Sequence, residues 1–105
     1  MDIDKLFDSW SAKIAELEIR VSEMNEAEIN LDSVLAAGIL LAKADHGGTV
    51  AEKIAKGDGN YMRNKKRFLD AKMNVDTTKA KIKWLEERYQ WEKLKVRIEN
   101  KITNS

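Results

Sequence analysis

A chain of 105 residues that is 43% hydrophobic and 35% charged, with no proline and no cysteine, fits one domain with a modest core. Zero cysteine excludes disulfides, thiolate nucleophiles and thiolate metal sites together. The net charge of +1 hides a polarity: residues 1–52 hold 4 Lys/Arg against 11 Asp/Glu, a balance of −7, and residues 53–105 hold 15 against 7, a balance of +8.

The chain starts acidic, Met1-Asp2-Ile3-Asp4-Lys5, without the basic stretch of a secretory signal. With no cysteine, this sets a cytoplasmic location as the expectation. Helical periodicity runs from Ile3 to about Ala44. Phe7, Trp10, Ile14, Leu17, Val21, Met24, Leu31 and Leu35 follow a heptad, and apolar residues at its a and d positions form a seam that another helix must cover. Glu28 interrupts an a position and Asp32-Ser33 offers a fresh cap, so residues 3–44 are one helix or two. The run Val34–Ala42 is apolar nearly all round, which predicts a helix enclosed by several neighbours. At nine residues it is far short of the roughly 20 needed to span a bilayer.

Asp45-His46-Gly47-Gly48 predicts a helix stop, with glycine in the left-handed conformation. His46, the single histidine, suits the negative end of a helix dipole better than any catalytic role. Thr49 and Glu52 have capping-box spacing for a short helix through about Lys56. Gly57-Asp58-Gly59 breaks it, and Asn60 is the expected cap of the last helix. From Tyr61 to about Ile102 nothing breaks the pattern, and Tyr61, Phe68, Val75, Ile82, Tyr89 and Val96 recur at every seventh position. The fold expected is all-α: a single helical domain over 1–105, an antiparallel long-helix hairpin of coiled-coil type. Its helices fall near 3–44, 49–56 and 61–102, with the short one at the bend. Pairing of this kind lays the acidic half beside the basic half, so flanking charges would select the orientation.

The last helix has more apolar surface than one partner needs. Val75, Ile82, Leu85, Tyr89 and Val96 share one side, while Trp84, Trp91, Leu94, Ile98 and Ile102 fall near the opposite side, with Arg88 between the tryptophans. That second stripe packs either on Val34–Leu41 or a third helix of the same chain, or on another copy. A two-fold dimer closing a four-helix bundle is the simplest form of the latter.

Chemistry is sparse. No Ser/His/Asp arrangement, no His/Cys cluster and no paired carboxylates indicate catalysis or metal binding. Lys56-Gly57-Asp58-Gly59-Asn60 lacks the residues of a phosphate or calcium loop. No enzyme, cofactor or metal is expected. Arg63, Lys65, Lys66, Arg67 and Lys72 crowd the start of the last helix, with Lys79, Lys81 and Lys83 beyond. Lys65, Lys72 and Lys79 repeat at seven and would line one stripe able to track a phosphate backbone. The same cations can instead border the seam and face the acidic half, their stems covering apolar surface.

Gly57-Asp58-Gly59 ahead of Arg63–Arg67, on a chain of long helices, resembles the small recombination mediators of tailed phages, helical oligomers that help load a recombinase onto single-stranded DNA. The likeness covers the second half; the acidic first half and the short chain depart from it. It implies DNA binding through Arg63, Lys65, Lys66 and Arg67 and assembly as a ring or higher oligomer. The function expected is a non-catalytic, self-associating interaction module, whose partner is itself (dimer or higher) or another protein. The alternative is a single-stranded-DNA-binding accessory protein. No membrane partner is expected.

Overall fold

The structure is a computed structural model and describes residues 2–103. Among these residues the chain is an all-α helical hairpin of three helices: α1 Ile3–Ala42, α2 Gly48–Gly57 and α3 Gly59–Thr103. Residues rich in Glu, Lys, Ala and Leu, uninterrupted by proline, carry such lengths. The stretch open to one helix or two is a single helix, with Glu28 and Asp32 exposed on its surface.

The helix ends depart from the expected caps. Asp2 caps α1, its carboxylate accepting the Asp4 amide at 3.0 Å. At the other end the chain tightens through three-residue bonds, Ala44 N–H to the Leu41 carbonyl (3.4 Å) and Asp45 N–H to that of Ala42 (3.2 Å), so no left-handed glycine is needed. Gly47, extended at φ −70° and ψ 162°, is instead the N-cap of α2. Thr49 therefore lies inside α2, the box with Glu52 does not form, and Glu52 pairs with Lys56 at 2.9 Å. Asp58 alone separates α2 from α3. Its carboxylate accepts the Asn60 amide at 2.7 Å and its carbonyl the Met62 amide at 3.0 Å. Asp58, not Asn60, caps α3, because a carboxylate also complements the positive helix end.

The chain divides into two compact units, Met1–Ile19 with Asp76–Ser105, and Arg20–Val75. In the first, Leu6 is 0% exposed and Leu85 is buried, beside a cluster in which Trp10 and Tyr89 stand 5.5 Å apart and Phe7 and Tyr89 5.9 Å apart. Each close ring pair contributes about 0.5–1.5 kcal/mol beyond its burial. On α1 the expected Trp10, Leu17, Val21, Met24, Leu31 and Leu35 are buried or half-buried, whereas Ile14 is 44% exposed and Phe7, whose ring meets Tyr89, 49% exposed; Leu6 is buried and Lys13 half-buried beside them. The Lys13 ammonium reaches Glu16 at 2.7 Å.

In the second unit Leu31, Ala51, Ala55 and Val75 are buried. α2 approaches α1 through small residues: a β-carbon on Gly38 would stand 3.1 Å from that of Ala55. The apolar run of α1 is not enclosed as expected. Leu40 and Leu41 are 72% and 78% exposed, because ten-residue α2 offers only Ala51 and Ala55 to cover it. A hollow of about 300 Å³ remains there, lined by Val34, Ala37, Gly38, Leu41, Ala55 and Tyr61.

Candidate interaction surface

Along α3, inward positions follow alternating steps of three and four: Tyr61, Asn64, Phe68, Ala71, Val75, Thr78, Ile82, Leu85, Tyr89 and Glu92 are buried or half-buried. Nothing inward follows. Every residue from Lys93 to Ile102 is exposed, Val96 included, because α1 begins at Ile3 and Phe7 and Trp10 are already level with Tyr89.

In the first unit, the face of α3 turned away from this seam carries the second stripe. Trp84 is 51% and Trp91 52% exposed, and Leu94, Ile98 and Ile102 are exposed too. Among the described residues of this unit, no helix covers them. Trp84, Glu87, Arg88 and Trp91 frame an open hollow of about 200 Å³. The Lys81 ammonium lies 4.2 Å from the Trp84 ring centre and that of Lys95 6.0 Å from the Trp91 ring, so the cations attract the ring faces while leaving much indole surface in water. Arg88 and Lys95 also approach Glu92, at 3.4 and 3.6 Å. That carboxylate occupies the last inward position, and its buried Oε1 accepts no hydrogen bond despite the two nearby charges.

The basic residues lie elsewhere. Arg63, Lys65, Lys66, Arg67 and Lys72 belong to the second unit and are all exposed; Lys79 belongs to the first and is exposed as well. The ion pairs Lys13–Glu16, Arg20–Glu23, Lys56–Glu52 and Arg88–Glu92 run within single helices. Tyr61 is half-buried and lines the hollow beside α2, so it is a poor free platform for a base. Lys56, on α2, is held above the ordinary lysine range by the hydrogen bond and charge of Glu52.

Sequence reasoning missed one surface. Leu40, Leu41, Val50 and Ile54 of the second unit are exposed, and the signal was the shortness of the segment left to cover an all-round apolar helix. Among the described residues no group of three or more His, Cys, Asp or Glu side chains is placed to hold a metal ion. No helix among them is long and apolar enough to cross a membrane. Set against protein-family models, curated proteins and solved structures, the chain matches none.

Proposed function

We propose that this protein is a non-catalytic helical module that associates with itself through the outer face of α3. The observation that carries the reading is the row Trp84, Trp91, Leu94, Ile98 and Ile102, large apolar side chains on one face of one helix and all exposed. Scattered apolar residues are ordinary on a surface, but a contiguous row with two tryptophans marks an interaction site. Burying such side chains contributes about 1.5–3 kcal/mol each, enough to hold copies together after the cost of association is met. Light scattering on the Trp84→Ala/Trp91→Ala variant tests it: a lower mass than the native chain is expected, and an unchanged oligomer refutes the reading.

The second reading is a single-stranded-DNA-binding accessory protein of the phage recombination type. It is supported by the exposure of Arg63, Lys65, Lys66, Arg67 and Lys72, five cations within ten residues of one helix. Exposed cations on one short stretch of helix suit phosphate contacts, and such contacts are sequence-independent.

A further inference from the structure

The outer face of α3 reads as its own complement in one particular arrangement. Turning about 100° per residue from Trp91, Trp84 and Ile102 fall together slightly to one side, with Arg88 and Glu99 further round on that same flank. Glu87, Leu94 and Lys101 fall on the other flank, and Ile98 lies near the midline. A two-fold axis that runs two helices antiparallel reverses height along the helix but keeps each residue on its own flank. Pairs that meet must therefore share a flank and be symmetric about one level. Trp84 with Ile102, Glu87 with Lys101, Arg88 with Glu99, and Trp91 with Ile98 all satisfy this, and all four pairs are centred within one residue of Leu94.

We infer that two copies pair antiparallel with Leu94 at the two-fold axis. Trp91 rests on Ile98 of the second copy, Trp84 on its Ile102, and the Glu87 carboxylate faces its Lys101. This rests on the self-association reading and adds its partner, direction and register. Charge selects the register. An axis moved to Trp91 would set Arg88 against Lys95 on the same flank. A parallel pair would bring Lys81 and Lys83 of one copy against those of the other, whereas the antiparallel pair keeps those lysines apart. The arrangement also covers an exposed part of α3. The exposed stretch from Lys93 to Ile102 is about the length at which an isolated helix is marginal in water, and here it lies along Trp84–Trp91 of the second copy.

The test uses the full chain, which has no cysteine of its own. Sedimentation of the native chain over a range of concentrations comes first, and a monomer throughout removes both the self-association reading and this register. With a dimer in hand, Leu94→Cys is expected to form a disulfide with its own copy on oxidation. Trp91→Cys is expected not to, since its two sites stand on the order of 9 Å apart along the axis, but to cross-link when mixed with Ile98→Cys. Glu87→Lys or Lys101→Glu alone should weaken the dimer about tenfold, and the double exchange should restore it. Trp91→Cys cross-linking to itself as readily as Leu94→Cys would show a parallel pair and overturn the register while self-association stands. So would charge reversals that leave the dimer unchanged. All the altered side chains are exposed, and an unchanged helical melt of each variant separates lost association from lost folding.

Discussion

Gly38 and Ala55 meet so closely that a single added carbon on the glycine would stand 3.1 Å from the alanine β-carbon. That approach seats α2 on α1, and nothing larger fits without moving one of them. Gly38→Val is therefore expected to destabilise the protein by about 1–3 kcal/mol through overpacking, even though glycine is a poor helix former. Gly48→Ala, where an added carbon meets nothing within 4 Å, should be neutral or stabilising by up to about 1 kcal/mol. Urea unfolding of both variants checks this, and equal midpoints would mean α2 does not sit tightly.

Leu6 and Ile14 make a second contrasting pair. Leu6→Ala should cost about 2–5 kcal/mol, the range for emptying a buried leucine site. Ile14→Ala, at a position 44% exposed, should cost less than about 1 kcal/mol. Denaturant midpoints decide it, and the reverse order would restore the seam through Phe7 and Ile14.

Asp58→Ala removes the carboxylate that caps α3, and a loss of about 0.5–2 kcal/mol is expected. Asp58→Asn keeps a side-chain acceptor and should lose much less. Asn60→Ala should change little by comparison, since Asn60 already lies within α3. A larger effect at Asn60 than at Asp58 would assign the cap to the asparagine.

The Lys56–Glu52 pair fixes the sign of one pH dependence. A lysine raised in the folded state contributes stability that is fully present below its unfolded value of 10.5 and is lost as pH rises through the higher folded value. The side chains are exposed, so the effect is small. Melting temperatures of the native chain and Lys56→Met should differ by the same amount from pH 6 to 9 and converge only above the lysine range. Convergence nearer neutrality would assign the effect to another group.

For the nucleic-acid reading, a labelled single-stranded oligonucleotide is the probe. Binding should weaken steeply between about 50 and 200 mM salt, and replacing Arg63, Lys65, Lys66 and Arg67 with Gln should flatten that slope by about one unit or less per cation removed. Absence of binding at low salt removes this reading and leaves the outer face of α3 untouched.

Much of this fold was legible because α3 keeps large apolar residues at every seventh position. Tyr61, Phe68, Val75, Ile82 and Tyr89 all turn inward. Val96 continues the pattern but lies exposed beyond the start of α1, a matter of where the partner helix begins and not of periodicity. Of the companion row only Leu85 was legible, because its other members, Asn64, Ala71, Thr78 and Glu92, are small or polar. On α1 the half-buried positions include Lys13, which a pattern scored on hydrophobicity passes over in favour of Ile14. The caps were misplaced by two residues where a second good capping residue stood nearby: Asp58 accepts the Asn60 amide, while the Asn60 side chain accepts from Asn64. The second stripe was legible as periodicity; the exposure of Trp84 and Trp91 required knowing which helices lie nearby.

With Asp58 as the lone spacer, α2 and α3 share something close to a rigid elbow. One inserted residue there would advance the phase of α3 by about 100°, swinging Tyr61 and Phe68 out of the seam while α2 stayed seated on Gly38. Loop lengthening, so often harmless between helices, should be poorly tolerated at this joint.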